Sequence, residues 1–138
     1  MFLGNPRTGD GFAEHGGMTR AEINTQFPGY QLPEEVNERG WWRSGYEDDS
    51  GCEQRALRVA VDLRRMAEEL PDARIALVTH GTFSDRLLKA LGNFPFDGPS
   101  QFHTYNTAIS RVNFRGSGIV SFSYVNRVQH LPPDLVSL

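Results

Sequence analysis

The stretch Arg74-Ile-Ala-Leu-Val-Thr-His-Gly-Thr-Phe-Ser-Asp-Arg-Leu-Leu-Lys-Ala-Leu-Gly92 predicts a strand, a sharp turn and a helix in succession. Its first part contains a short apolar run, Ile75 to Val78, with β-branched ends, which is typical of a buried strand in a parallel or mixed sheet and predicts a strand at residues 74–79. A helical pattern starts at Thr82, with Asp85 in the capping-box position and Gly92 as the residue that ends the helix. The apolar face of that helix consists of Phe83, Leu87, Leu88 and Leu91.

The turn between this strand and helix holds His80 and Gly81. An imidazole is therefore expected at the carboxyl end of a strand, which is where ligands bind in open α/β sheets. The adjacent helix N-terminus favours anions through its free N–H groups and its dipole. A histidine at such a position is as often a hydrogen-bonded structural residue, so the spacing alone leaves both roles open.

Composition limits the classes of function. A chain of 138 residues, 38% of them hydrophobic, predicts one domain over residues 1–138 with a real core. The net charge of -3 argues against nucleic acid as a partner. No apolar run has membrane-spanning length, so no membrane partner is expected. The single Cys52 excludes an internal disulfide and suits a reducing cytoplasm. Without a cysteine pair or closely spaced histidines, no metal is predicted.

Two further helices are predicted upstream of the central stretch. Thr19-Arg-Ala-Glu22 is a capping-box pattern that predicts a short helix over residues 20–26, closed by Phe27-Pro28. Ser50-Gly-Cys-Glu53 has the same pattern and predicts a helix over residues 51–70, ended by Pro71. The apolar positions of the longer helix recur at helical spacing: Ala56, Val59, Ala60, Leu63, Met66, Ala67 and Leu70.

The remaining chain combines a predicted hairpin with loops. Residues 107–114 and 119–125 are expected to form two strands joined by a turn at 115–118. Of the adjacent Trp41 and Trp42, we expect one in the core and the other along a cleft. Loop or irregular structure is predicted for four segments: residues 1–18, 29–45, 93–105 and 126–138.

Several motifs, in order, resemble the histidine phosphatase superfamily, which includes the phosphoglycerate mutases. The central motif is Ala76-Leu-Val-Thr-His-Gly81 after a long helix. An acidic segment precedes it, with Glu14 before a Gly-rich turn, a short helix and Phe27-Pro28. Two segments follow it: Asn106-Thr107-Ala-Ile109 and Asn126 to Leu131. The likeness covers most of the chain from about Phe12 onward.

The resemblance implies an α/β fold with a mixed, mainly parallel sheet flanked by helices. It implies phosphoryl transfer or phosphomonoester hydrolysis on a small phosphorylated metabolite, without metal or organic cofactor. His80 would donate a hydrogen bond to a phosphoryl oxygen, and Glu14 would protonate the leaving oxygen. The backbone N–H groups of Gly81 and Thr82 would add to phosphate binding. Asn106 would line the edge of the site.

The sequence departs from the family at the nucleophile. The family nucleophile is a histidine in an Arg-His-Gly motif after the first strand, and no such tripeptide occurs in these 138 residues. The chain therefore resembles an N-terminally incomplete domain. A start codon upstream of Met1 or a shortened chain would account for this and would restore the enzyme interpretation. By itself the chain is expected to be inactive. With no first strand beside residues 74–79, we expect self-association through that edge or a separate segment that complements it.

Two other classes of function compete with the phosphatase interpretation. The first is a non-catalytic module that kept the fold and binds a phosphate ligand or a partner without a nucleophile. An in-frame Arg-His-Gly upstream of Met1 would favour the enzyme over this module. The second is an α/β-hydrolase, which is disfavoured because the sequence has no Gly-x-Ser-x-Gly elbow.

Overall fold

The computed structural model describes residues 17–41 and 47–138. The chain divides into two compact units, Met1–Asp48 and Asp49–Leu138. Most of the predicted loop at residues 1–18, including Glu14, lies outside the described residues, as does Trp42. The described helices α1, α2 and α3 span Arg20–Gln26, Asp49–Glu69 and Gly81–Gly92, and the strands β1 and β2 span Ile109–Phe114 and Val120–Arg127.

The first unit is built around α1, and the predicted capping box at its start is confirmed. The hydroxyl of Thr19 accepts a hydrogen bond from the backbone N–H of Glu22, and the Glu22 carboxylate accepts from the Thr19 N–H at 2.8 Å. From the first turn of the helix, Arg20 Nε donates to the carbonyl of Val36 at 2.7 Å, which ties the following irregular segment to α1. Trp41 is half-exposed rather than buried.

The capping box predicts a pH-dependent contribution to stability. The backbone hydrogen bond from Thr19, followed by its hydroxyl, lowers the pKa of Glu22 below 4.5. Because the native pKa is lowered, this stabilisation is present above about pH 4.5 and is lost as the pH falls through the native pKa. An NMR titration should therefore give a Glu22 midpoint below 4.5. Thr19→Ala should raise the Glu22 midpoint only part of the way to 4.5, because the backbone N–H of residue 19 still donates to the carboxylate. A Glu22 midpoint at or above 4.5 in the unmodified chain would contradict the structure.

In the second unit, α2 and α3 pack together through small and large apolar side chains. Cys52, Ala56 and Ala60 of α2 are buried with Phe83, Leu87, Ala90 and Leu91 of α3.

The predicted helix at 51–70 is confirmed with slightly different ends. Because α2 begins at Asp49, Ser50 lies inside it, and the predicted capping box there is wrong. Leu70 follows the last helical turn and is exposed, so it does not belong to the core face.

The ends of α3 also differ from the sequence prediction. The helix begins at Gly81 with His80 as its N-cap, so Asp85 is not a capping residue. At the other end Asn93 has the left-handed conformation, with φ 56°, while Gly92 is still helical. A Cβ at residue 92 would lie 2.5 Å from a ring carbon of Phe94. Glycine is therefore suited to residue 92 for packing, and asparagine tolerates the left-handed position.

The predicted hairpin is confirmed. Strands β1 and β2 pair antiparallel, and the chain reverses between them through a short 3-10 turn at Gly116–Gly118. Side chains from both strands pack on the α2–α3 core: Val112, Phe114, Val120 and Phe122. The second strand extends to Arg127, two residues beyond the prediction, because Ile109 pairs with Arg127. The tail is otherwise irregular except for a 3-10 turn at Pro133–Leu135.

The predicted mainly parallel sheet is not present among the described residues, whose sheet is the two-stranded antiparallel hairpin. Residues 73–80 between α2 and α3 have no regular secondary structure, and no backbone ladder joins them to another described segment. Ile75 and Leu77 are about half-exposed, and Val78 is 95% exposed. The apolar pattern of a strand is there, but a strand also needs a neighbour to accept and donate its backbone hydrogen bonds.

This exposed apolar segment predicts self-association of the purified chain. Unpaired backbone groups beside apolar side chains are a template for pairing with another chain. Light scattering should therefore give a mass above that of one chain. Val78→Lys should shift the equilibrium toward monomer, because a charge at an exposed edge opposes pairing. Val61→Lys, on an exposed position of α2, serves as the control and should leave the mass unchanged. A well-folded monomer of the unmodified chain would contradict the prediction.

None of the helices in the described part of the chain is both long and apolar enough to cross a membrane.

Candidate functional site

His80 lies at the junction between the extended segment and α3. It is the N-cap residue, with extended backbone angles (φ -101°, ψ 157°), and its side chain makes no capping hydrogen bond. Its carbonyl accepts from the Ser84 N–H at 2.9 Å, which begins the helix. The residue is exposed, and its imidazole has no hydrogen-bond partner among the described residues. Within residues 17–41 and 47–138 the ring therefore has no structural hydrogen bond.

The first residues of α3 are open to an approaching ligand. Gly81 and Thr82 are exposed, and no side chain among the described residues caps the N–H groups of this first turn. On one side Thr104 comes close, because a Cβ built on Gly81 would lie 3.3 Å from its hydroxyl oxygen. The helix is 12 residues long, so its dipole and free N–H groups both favour an anion at this end.

A buried ionic cluster follows one helical turn later. Asp85 and Lys89 are each 2% exposed, and Lys89 Nζ lies 3.3 Å from Asp85 Oδ2. The same oxygen is 2.8 Å from Arg86 Nη1. Arg86 in turn faces two carboxylates of α2, with its Nε 3.5 Å from Glu53 Oε1 and its Nη2 4.0 Å from Asp49 Oδ1. The cluster joins the two helices next to the His80 end of α3.

Two charges of this cluster also bind the loop that follows α3. The second oxygen of Asp85, Oδ1, accepts from the backbone N–H of Phe102 at 2.8 Å. Lys89 Nζ donates to the carbonyl of Phe96 at 3.3 Å. The rings of Phe94 and Phe102 pack edge to face, with centroids 5.7 Å apart. These contacts hold the predicted loop at residues 93–105 against the helix.

Asn106 is used by the C-terminal tail. Its side-chain amide donates to Ser137 Oγ at 3.1 Å and to the Leu138 carbonyl at 2.9 Å, and its backbone N–H donates to the Ser137 carbonyl. The next residue, Thr107, has φ 57°, an uncommon conformation for a β-branched residue. The structure therefore fixes Asn106 in a strained turn, with its two amide protons already engaged.

The structure brings only some of the expected site residues together. His80, Gly81 and Thr82 are consecutive at the start of α3, whereas no hydrogen bond joins Asn106 to any of them in the described part of the chain. Glu14 lies outside the described residues. Nowhere in the described part of the chain do three or more His, Cys, Asp or Glu side chains lie together as metal ligands would.

Thr104 and the anchoring role of Asp85 were missed at the sequence level. The opposite charges of Asp85 and Lys89 at i,i+4 spacing were a usable signal of a pair. Their burial was not readable from spacing, because it depends on the loop that folds back over this side of α3. Arg86 forms a salt bridge with the same carboxylate.

Comparison with known proteins identifies one family. The family model for the histidine phosphatase superfamily (branch 1) matches residues 11–127, which is most of the chain. Neither the curated proteins nor the solved structures gave a match to this chain.

Proposed function

The chain belongs to the histidine phosphatase superfamily, and from that premise we propose that it binds the phosphoryl group of a small phosphorylated metabolite at His80. The observation that carries the proposal is the exposed imidazole at the uncapped N-terminus of α3, which makes no hydrogen bond with the described residues. The family in general binds phosphorylated substrates. Its chemistry is phosphoryl transfer, used for phosphomonoester hydrolysis or for mutase reactions.

His80 acts by stabilising charge. In phosphoryl transfer negative charge spreads over the equatorial oxygens, so the protein contributes mostly positioning and electrostatic stabilisation. A ring N–H of His80 donates to one of these oxygens, and the N–H groups of Gly81 and Thr82 donate to the same phosphoryl group. The exposed first turn of α3 leaves room for a ligand to reach all three donors.

Glu14 and Asn106 complete the proposed site with different roles. In a site that also holds a phosphoryl-accepting histidine, Glu14 would protonate the leaving oxygen as the phosphoryl group passes to that histidine, and would afterwards deprotonate the water that attacks the phosphohistidine. Asn106 lines the edge of the site, where its amide holds the C-terminal tail. The sheet of this single domain is proposed to be mixed and mainly parallel, with residues 74–79 as one of its strands. The single, buried Cys52 suits a reducing cytoplasm.

A second candidate function follows from the sequence. None of the four histidines lies in an Arg-His-Gly motif. A chain that keeps His80 but has no phosphoryl-accepting histidine between arginines would bind phosphorylated ligands without turning them over. The two candidates share the His80 site and differ only in whether a nucleophile acts on the bound group.

Titration of the full chain with inorganic phosphate, followed by NMR, tests the proposal. We expect saturable shifts of the His80 ring and of the Gly81 and Thr82 amides. His80→Ala should weaken binding about tenfold, the usual effect of losing one hydrogen bond to a charged group. His130→Ala is the matched control, because His130 is exposed in the tail, and it should bind like the unmodified chain. Equal affinities of the His80→Ala variant and the unmodified chain would contradict the proposal.

A further inference from the structure

The loop after α3 runs back along the helix toward His80. Asn93 reverses the chain with its left-handed conformation, and Phe96 then meets Lys89. Farther along the loop, Phe102 meets Asp85 one turn closer to the helix start. Thr104 finally reaches Gly81. The loop thus runs antiparallel to α3, and its last residues lie at the N-terminus of the helix.

Two side-chain acceptors hold the end of this loop on either side of Thr104: Asp85 binds Phe102, and Asn126 Oδ1 accepts the Tyr105 N–H at 2.8 Å. Asp85 Oδ1 accepts the Phe102 N–H at 2.8 Å, two residues before Thr104. A carboxylate is a stronger acceptor for a backbone N–H than a neutral group. Its burial is tolerated because Oδ2 is paired with both Arg86 and Lys89. The carboxylate therefore holds the loop by a short bond whose charge is compensated on the other side.

Thr104 brings a hydroxyl to the proposed phosphoryl site. This hydroxyl makes no hydrogen bond within the described part of the chain, and its oxygen would lie only 3.3 Å from a Cβ at residue 81. A threonine hydroxyl can donate one hydrogen bond. Glycine at residue 81 permits this close approach, since a side chain there would press against the hydroxyl.

We propose that Asp85 is a positioning residue for the His80 site, and that through Phe102 it places the Thr104 hydroxyl where it donates to the bound phosphoryl group. This inference rests on the proposed function. It adds Thr104 as a ligand-binding residue and gives Asp85, one member of the buried ionic cluster, a role in recognition of a small phosphate monoester or free phosphate. Asp85 does not touch the ligand; it acts through the backbone of the loop.

The test separates positioning from stability by using paired variants of the full chain. Lys89→Met removes one charge and keeps the bond from Asp85 to Phe102. Asp85→Ala with Lys89→Met removes both buried charges, so no ammonium is left unpaired, and the bond to Phe102 is lost. Thr104→Val removes the hydroxyl at nearly constant volume, and Thr104→Ser keeps it. The dissociation constant of inorganic phosphate is read from the Gly81 and Thr82 amide shifts.

We expect Lys89→Met to bind phosphate as the unmodified chain does, and Thr104→Ser, which keeps the hydroxyl, to bind more tightly than Thr104→Val. The double variant and Thr104→Val should each bind about tenfold more weakly, the effect of one hydrogen bond to a charged group. In the double variant the Phe102 amide should also exchange faster with solvent. A purely structural role for Asp85 predicts the opposite, that the double variant binds like Lys89→Met.

The outcomes distinguish this inference from the proposed function. If the unmodified chain binds phosphate and both the double variant and Thr104→Val bind it equally well, the positioning role is overturned while the His80 site stands. If the unmodified chain gives no saturable shift at His80, Gly81 or Thr82, the proposed function fails and this inference fails with it.

Discussion

Asp85→Ala is expected to lower the free energy of unfolding by about 3–5 kcal/mol, as the loss of one partner in a buried ion pair usually does. The substitution leaves the Lys89 ammonium 2% exposed, with the Phe96 carbonyl as its remaining recorded partner. It also leaves the Phe102 N–H without its acceptor. For a domain with about 5–15 kcal/mol of total stability, this is a large fraction.

Lys89→Met is expected to cost much less, about 1–2 kcal/mol. After it, Asp85 still pairs with Arg86 at 2.8 Å and still accepts from Phe102. The cluster is therefore asymmetric, with Asp85 as the member on which the others depend. Adding Lys89→Met to Asp85→Ala should recover part of the lost stability, because it removes the unpaired buried ammonium.

Urea unfolding of the four proteins measures this asymmetry. The urea concentration at the unfolding midpoint should change, while the slope of the free energy of unfolding against urea concentration stays constant. A constant slope would show that the substitutions change stability and not the compactness of the unfolded state. Equal losses for the two single variants would contradict the described geometry. So would a double variant less stable than Asp85→Ala alone.

The 138-residue chain is expected not to hydrolyse p-nitrophenyl phosphate above the buffer rate. Phosphomonoester hydrolysis is among the slowest uncatalysed reactions, and enzymes accelerate it by up to about 10²¹-fold. Most of that acceleration needs a positioned nucleophile and cationic groups around the phosphoryl oxygens. The sequence has no histidine between an arginine and a glycine. Phosphate binding at His80 alone does not supply an acceptor for the phosphoryl group.

The matched control for this assay is His80→Ala, measured with the same preparation. Steady hydrolysis by the unmodified chain that His80→Ala abolishes would show that the nucleophile has been misplaced. In that case the non-catalytic candidate would be wrong, and His80 itself would be the first residue to test as the phosphoryl acceptor. Hydrolysis that survives His80→Ala would point to a contaminating phosphatase.

Local patterns predicted the helices and the hairpin. The capping box Thr19–Glu22 and the turn at 115–118 depend on residues a few positions apart, so their geometry could be read from spacing. The ends of α2 and α3 were less readable. Asp85 fits a capping pattern after Thr82, but the helix begins at Gly81, and the carboxylate binds Phe102 instead. That choice depends on a loop 17 residues away.

The strand predicted at residues 74–79 shows a limit of prediction from sequence patterns. Ile75, Leu77 and Val78 have the composition of a buried strand, yet all three are substantially exposed. Composition selects an extended conformation, whereas a sheet requires a neighbouring backbone. The mainly parallel sheet therefore stays a proposal, and the sheet found in the described residues is the local hairpin.

The candidate site was partly predictable for the same reason. His80, Gly81 and Thr82 follow one another in the chain, so a strand–turn–helix pattern suffices to place them at a helix N-terminus. Thr104 reaches Gly81 only because the loop is held along α3, and Asn106 is engaged by residues more than 30 positions away. Contacts of this range depend on the tertiary fold.

A crystal of the full chain soaked with phosphate or orthovanadate tests the central claim most directly. We predict an anion with one oxygen within about 3.2 Å of a His80 ring nitrogen and others at similar distance from the Gly81 and Thr82 N–H groups. A His80 ring that packs against apolar side chains, with no anion at the N-terminus of α3 at a saturating concentration, would contradict the claim.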